Sequence, residues 1–120
     1  MILKLTIPKL QRSLNILLRW HWAVFQKEQG VFNFLVHVAY KTQGKKMHFK
    51  GKKVAIAYTL YFKDKKKRDL SNYGQKMIDD CLIREGIIDD DNSEIVLEEV
   101  VRIRYDKRDP RTEVVITDIV

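Results

Sequence analysis

The chain has 120 residues, a net charge of +7 and a hydrophobic fraction of 45%, which together indicate one globular domain over residues 1–120. No apolar run approaches the roughly 18 residues of a membrane span, so we expect no membrane partner. The single Cys81 excludes an intrachain disulfide and favours the reducing cytoplasm. The basic charge favours an anionic partner, most often nucleic acid, but specifies no chemistry.

In chain order, the first half of the sequence predicts a strand, a long helix and a second strand. Alternating apolar and polar residues mark the first strand, and a run rich in β-branched and aromatic residues marks the second. Gly30 weakens the middle of the helix, so two shorter helices remain open. The predicted elements are residues 2–7, 19–42 and 54–62, with a basic loop at 43–53. Apolar residues at helical spacing form one stripe of this helix, with further apolar residues beside it; the stripe comprises Val24, Val31, Leu35 and Val38, and its neighbours are Phe25, Phe32 and Ala39.

The second half of the sequence predicts a shorter helix followed by two strands. The helix is expected to bury apolar residues on one face and to gather Asp79 and Asp80 on its polar face. Ser71 or Asn72 is expected to cap its start, and Gly86 to end it. The predicted elements are residues 72–85, 94–105 and 113–119. The order β-α-β-α-β-β predicts an α/β (α+β) domain in which two helices cover a mixed sheet.

Cations and carboxylates flank this second helix. The cations of the preceding connection are Lys63, Lys65, Lys66, Lys67 and Arg68. Asp69 follows them directly, whereas Asp89, Asp90 and Asp91 follow the helix. A helix of about 14 residues spans roughly 21 Å. Asp69 and Asp91 therefore meet only if the chain returns along the helix, or if one strand end lies beside the next.

Two interpretations of these aspartates remain open on residue pattern alone. If they meet, their oxygens suit Mg²⁺, which would offset the carboxylate repulsion and activate water for attack on a phosphodiester. The cations at residues 65–68 would then hold the phosphate backbone. Otherwise, the run at residues 89–92 is a polar turn, and Asp69 or Ser71 caps a helix. Composition and spacing alone favour the turn.

The stretch from Arg68 to Val96 resembles the RusA family of Holliday junction resolvases, endodeoxyribonucleases common in phages and prophages. The family pattern joins basic residues to two acids, a helix lysine, a glycine and a second acidic pair. The matching residues are Arg68-Asp69-Leu70-Ser71-Asn72, Lys76, Asp80-Cys81-Leu82, Gly86, Asp90-Asp91-Asn92 and Ile95-Val96. Weaker similarity extends upstream, so the resemblance covers most of the chain.

The resemblance implies a role for each matching residue. Asp69 and Asp91 match catalytic acids that bind the metal, and Asp90 is placed to assist them. Lys76 matches a helix lysine that acts in catalysis on the phosphate. The cofactor implied is Mg²⁺, with Mn²⁺ as a substitute. Lys65, Lys66, Lys67 and Arg68 are the residues expected to bind DNA.

Two departures from the family pattern affect these assignments. Ser71 stands where the family usually has an acid, so one ligand charge is lost at this altered ligand position. Asp79 or Asp80 is a candidate to compensate from the helix. The spacing from Asp69 to Lys76 is also one residue longer than the family's, so either a residue is inserted or Gln75 occupies the lysine position.

The function implied is that of a metal-dependent, structure-selective endonuclease that resolves four-way DNA junctions. The family acts as homodimers, and a nearly two-fold symmetric junction requires two sites related by a two-fold axis. The resemblance also favours a phage origin. Two alternatives are a catalytically impaired junction-binding or DNA-binding protein of the same fold, and a basic RNA-associated structural domain.

Overall fold

The computed structural model describes residues 1–119 as a four-stranded sheet with helices on one face. The strands are β1 (Ile2–Ile7), β2 (Val54–Phe62), β3 (Val96–Tyr105) and β4 (Arg111–Asp118). The helices are α1 (Leu14–Leu17), α2 (Trp22–Gln43) and α3 (Lys76–Arg84), with a 3-10 turn at Leu70–Asn72. In these residues, no helix has the combination of length and apolar character that crossing a membrane requires.

The sheet is mixed, as predicted, and its strand order is β1-β4-β2-β3. β2 and β3 are parallel and are joined through α3, whereas β4 pairs antiparallel with both β1 and β2. Side chains alternate between the buried face and the open face, as the period of a strand requires. The result is the predicted α+β domain, although α1 adds a short helix to the two that were expected.

The long helix α2 is continuous through Gly30, and the face that it buries lies beside the apolar stripe rather than on it. Its buried residues are Phe32, Val36 and Ala39. Val31 and Val38 of the stripe are exposed. The helix carries apolar residues around most of its circumference, so spacing alone does not select a face. Packing against β1 and α3 makes the selection.

The connection between β2 and α3, residues 63–75, also differs from the prediction, because α3 begins later than expected. Ser71 and Asn72 lie in the 3-10 turn rather than capping α3, and Gln75 occupies the N-cap position without a side-chain cap bond. Gln75 is instead buried, and its Nε2 donates to the carbonyl of Tyr73 at 2.6 Å. The later start of α3 matters because Lys76 becomes the first residue of the helix.

The end of α3 is a chain reversal that returns the following segment along the helix. Gly86 has φ of +74°, and its N–H donates to the carbonyl of Ile83 at 3.0 Å. The N–H of Ile87 donates to the carbonyl of Leu82 at 2.9 Å, which completes a Schellman motif. Ile87 and Ile88 are then buried, so the returning segment is fixed to the core. Gly86 thus ends the helix as predicted.

Two glycine-to-alanine substitutions should therefore have opposite effects on stability. Gly86→Ala forces an alanine into the left-handed region and should lower the free energy of unfolding by about 1–2 kcal/mol. Gly30→Ala lies inside α2 and should raise it by about 0.5–1 kcal/mol. An added Cβ meets no atom within 4 Å at either site, so the pair isolates the backbone effect. Urea unfolding measures both, and equal signs would contradict the reversal described above.

Candidate active site at the start of helix α3

The returning segment brings Asp91 back to Lys76 in the first turn of α3, although the two residues are 15 positions apart in the sequence. Lys76 Nζ lies 2.5 Å from Asp91 Oδ2 and 3.1 Å from Asp80 Oδ1. The hydrogen bond from Lys76 lowers the pKa of Asp91, and the bonds to Asp91 and Asp80 raise the pKa of Lys76. Both groups are therefore charged near neutral pH. The chain thus returns along the helix, which was one of the two routes considered from the sequence, and the contact that this return forms is that of Asp91 with Lys76.

Lys76, and not Gln75, is the residue that contacts these carboxylates. The two are adjacent at the start of α3, and one residue turns a helical side chain by about 100°. Gln75 is turned into the interior, where its Oε1 has no hydrogen-bond partner among residues 1–119. The extra residue between Asp69 and Lys76 is accommodated in the connection before the helix.

Asp69 and Ser71 lie in the connection between the basic residues and α3. Asp69 directly precedes the 3-10 turn, but its carboxylate does not cap that turn. Both residues are exposed, and the turn packs against β3. The interpretation of Asp69 as a mere cap of α3 is therefore not supported, because α3 begins seven residues later.

Asp89 and Asp90 use their carboxylates to shape the returning segment. Asp89 Oδ2 accepts from the N–H of Gly51 at 2.7 Å, which ties the segment to the loop before β2. Asp90 accepts from the N–H of Asp91 at 2.7 Å and from the amide of Asn92 at 3.1 Å. Asp91 is thus the aspartate of this run whose side chain reaches α3.

The structure adds a carboxyl pair that sequence reasoning did not assign. Asp79, predicted on the polar face of α3, is only 6% exposed, and its carboxylate accepts from the hydroxyl of Tyr58. Glu99 pairs in register with Ile56 of the parallel strand β2, so it shares the helix-covered face of the sheet. The available signal in the sequence was its spacing from Val101 and Ile103, two and four residues further on, because residues at this spacing in a strand lie on the same face of the sheet.

The carboxyl of Glu99 is desolvated and faces Asp79, although the residue as a whole is exposed at the sheet edge. Burial, then the charge of Asp79, raises the pKa of Glu99 to about 8, and Asp91 contributes in the same direction. Burial also raises the pKa of Asp79. Near neutral pH the Glu99 carboxyl is therefore largely protonated and shares a hydrogen bond with Asp79, close to the ion pair of Lys76 with Asp91.

The donor chemistry of this region fits Mg²⁺, although the ligands are not gathered into a closed cluster. Within residues 1–119, no three His, Cys, Asp or Glu side chains are arranged to hold a metal ion. Mg²⁺ does not require such a cage, because it commonly takes one or two carboxylates, several waters and the phosphates of its substrate. Asp91 and the exposed Asp69 carry carboxylates, the ligand type that such a site would use.

The cations of the basic loop after β2, residues 63–68, fall into two groups: exposed lysines, and an arginine that pairs with an acid. Lys65, Lys66 and Lys67 are exposed, with Lys65 Nζ 5.0 Å from the ring centre of Tyr105. Arg68 is different, because its side chain is only 13% exposed and pairs with Asp64 at 2.8 Å. Its guanidinium also lies 3.8 Å from the ring centre of Phe62. Arg68 therefore organises the loop that presents the three lysines.

A lysine and carboxylates beside an exposed basic loop define a site suited to phosphodiester chemistry on nucleic acid. The family model for endodeoxyribonuclease RusA matches residues 8–117, nearly the whole chain. The protein therefore belongs to the RusA family of endodeoxyribonucleases, as the resemblance predicted. A comparison with curated proteins found no significant match.

The raised pKa of Glu99 predicts a pH-dependent effect of Glu99→Gln on stability. Below pH 4.5, Glu99 is protonated in both folded and unfolded protein, so the substitution should change little. Between pH 4.5 and about 8 the unfolded chain ionises Glu99 while the folded protein does not, so wild-type stability is progressively lost. The variant avoids this loss and should be the more stable protein at pH 8.5.

Urea unfolding in EDTA at pH 4 and pH 8.5 measures this difference. Glu98→Gln, on the open face of the same strand, is the matched control and should behave alike at both pH values. A Glu99→Gln effect that is the same at pH 4 and pH 8.5 would contradict the desolvated carboxyl pair.

Proposed function

We propose that the protein is a metal-dependent, structure-selective DNA endonuclease that resolves four-way junctions. The observation that carries the proposal is the contact of Lys76 with Asp91, two motif residues separated by a helix and a chain reversal. Family membership supports endonuclease chemistry on DNA, and the exposed lysines before Asp69 support contact with a phosphate backbone.

In this proposal Asp69 and Asp91 hold Mg²⁺ or Mn²⁺, with Asp90 assisting through the turn that orients Asp91. The bound metal would polarise a phosphoryl oxygen and supply an activated water. Ser71 offers only a neutral oxygen at the altered ligand position.

Lys76 is assigned an electrostatic role rather than that of a base. Its pKa is raised by its bonds to Asp91 and Asp80, so it keeps its proton throughout the neutral range. A permanently charged ammonium stabilises the charge that develops on the phosphate during attack. It also holds Asp91 in place before the substrate arrives.

The proposed substrate is branched DNA, above all a four-way junction, and the proposed assembly is a homodimer. Paired nicks on a nearly two-fold symmetric junction require two sites related by a two-fold axis. The exposed apolar residues of α2 are one surface available to a second copy; they include Trp22, Val24, Val31, Phe34 and Val38. The proposed location is the reducing cytoplasm, in keeping with a single cysteine that is buried.

A second candidate is a DNA-binding protein of the same fold that has lost cleavage. Two observations favour it. Ser71 stands at a position where the family usually has an acid, and within residues 1–119 no three His, Cys, Asp or Glu side chains are arranged to hold a metal ion. This candidate predicts junction binding that survives in EDTA, with no nicks in Mg²⁺ or Mn²⁺.

Cleavage of a synthetic four-way junction separates the two candidates. The proposed enzyme should make symmetric paired nicks in Mg²⁺ or Mn²⁺ and none in EDTA, while a linear duplex stays intact. Asp69→Asn and Asp91→Asn should each lower the rate by about 100-fold or more, because each removes a charged ligand. Asp109→Asn, an exposed aspartate in the turn before β4, is the matched control. Full activity of Asp91→Asn would eliminate the proposed site.

The salt dependence of junction binding tests whether the basic loop after β2, residues 63–68, contacts phosphates. In EDTA, log K should fall linearly with log salt concentration, and each lost phosphate contact should reduce the slope by roughly 0.9. The double variant Lys66→Gln/Lys67→Gln should therefore flatten the slope by about 1.8. Lys27→Gln/Lys41→Gln on α2 removes the same charge elsewhere and should leave it nearly unchanged. Equal slopes for the two doubles would show that the loop does not contact phosphates.

A further inference from the structure

We infer that a cleft beside the site binds a single unstacked nucleotide of the branched DNA substrate. The inference rests on the proposed function and adds a second binding element to it. The cleft has a volume of about 430 Å³ and lies between the segment after β1 and the loop after β2. This volume is in the range of pockets that enclose small organic ligands.

The walls of the cleft are fixed in place by buried hydrogen bonds. Gln11 is 1% exposed; its Oε1 accepts from the N–H of Met77 at 3.0 Å, and its Nε2 donates to the carbonyl of Gly74 at 2.6 Å. The Thr112 hydroxyl donates to the carbonyl of Lys9 at 2.7 Å. The segment after β1 is thereby fastened to both α3 and β4, so the cleft is formed before any ligand binds.

Flat side chains line the cleft. The rings of Phe62 and Tyr73 meet edge to face, with centres 5.4 Å apart and planes at 72°. The guanidinium carbon of Arg68 lies 3.8 Å from the ring centre of Phe62, which is buried, so a base in the cleft would stack on Tyr73 or Arg68 rather than on Phe62. Leu10 and Ile16 add apolar surface. Aromatic and guanidinium faces are the surfaces on which proteins stack unpaired bases.

The charges of the cleft favour a phosphate. Its charged lining consists of four cations, Lys9, Arg12, Lys63 and Arg68, and one acid, Asp64. Arg68 pairs with Asp64, and Lys9 pairs with Glu28 at 2.6 Å. Among residues 1–119, Arg12 and Lys63 have no acidic partner, so the cleft keeps an excess positive charge. An apolar interior with a cationic border matches a base with its phosphate.

The position of the cleft links it to the proposed cleavage site. Arg68 directly precedes Asp69, and Tyr73 lies three residues before Lys76. Consecutive Cα atoms are about 3.8 Å apart, so the cleft lies within about a nucleotide of Asp69. A paired base must leave its stack to enter, at a cost that is smallest for a base that is already unpaired. Branch points in DNA provide such bases.

Binding to two junctions tests the inference without cleavage. One junction is fully paired, and the other carries a single unpaired nucleotide at the branch point. Their dissociation constants are measured in EDTA by fluorescence anisotropy, with a linear duplex of equal length as reference. Wild type should bind the unpaired junction about tenfold more tightly, the size of one base-stacking contact.

Two variants should remove this preference while leaving the fully paired junction bound. Arg12→Glu reverses an exposed, unpartnered charge of the cleft, and Ser13→Trp fills the cleft from its border. Ser13 makes no side-chain cap bond at α1, so neither change should impair folding, which thermal unfolding verifies. Lys27→Glu on α2 carries the same charge change as Arg12→Glu outside the cleft and should weaken both junctions equally.

The outcomes distinguish failure of the proposed nucleotide cleft from failure of the proposed junction substrate. Equal affinity of wild type for the two junctions, or a preference retained in both cleft variants, would overturn the inference. Neither result would contradict the proposal that the substrate is a four-way junction. Equal affinity for junctions and linear duplex would instead remove the proposed substrate, and the nucleotide cleft with it.

Discussion

The candidate site depends on one constraint, the reversal of the chain at Gly86. The left-handed backbone of this glycine ends α3 and sends the following residues back along it, and burial of Ile87 and Ile88 fixes that return. Without the return, Asp91 would lie beyond the far end of α3 from Lys76. The ion pair itself is too exposed to hold this geometry, since the Lys76 side chain is 63% exposed and such surface pairs contribute about 1 kcal/mol or less.

Clustered carboxyl groups lie near the start of α3, and a run of lysines lies in the connection that precedes this helix. The chain carries a net charge of +7, yet three carboxyl groups, those of Asp79, Asp91 and Glu99, lie close to the single ammonium group of Lys76. Their mutual repulsion contributes to the raised pKa values of Asp79 and Glu99, and a bound metal ion would relieve it. The lysines at residues 65–67 attract a polyanion. The combination offers a physical reason for a basic loop and aspartates to occur so close together in the sequence.

The sequence predicted the first two strands well, β1 from the alternation of apolar and polar residues and β2 from its β-branched and aromatic content. β1 and β2 fall at the predicted residues, and the mixed sheet follows from the order of elements. Helix α2 is apolar on several sides, so its sequence did not show that Phe32 and Ala39 would be buried while Val31 and Val38 stay exposed. The start of α3 was misplaced because Ser71 and Asn72 form a 3-10 turn instead of a cap.

The site was predictable in its residues but not in its assembly. The motif pointed to Asp69, Lys76 and Asp91, while the choice between Gln75 and Lys76 needed the helix start to be known. Asp79 was named as a candidate ligand, but its burial and its pairing with Glu99 were missed, because this contact depends on how α3 packs on the parallel strands, which no local pattern records. The metal ligands and the roles in catalysis stay predictions, because they concern a complex with metal and DNA.

Paramagnetic broadening by Mn²⁺ in amide NMR spectra tests the central claim most directly, namely that the return segment and the start of α3 form one cation site. The account predicts selective broadening at residues 69–72, 76–80, 89–92 and 98–100, which disappears in Asp91→Asn. Broadening centred elsewhere, or an unchanged pattern in Asp91→Asn, would contradict it.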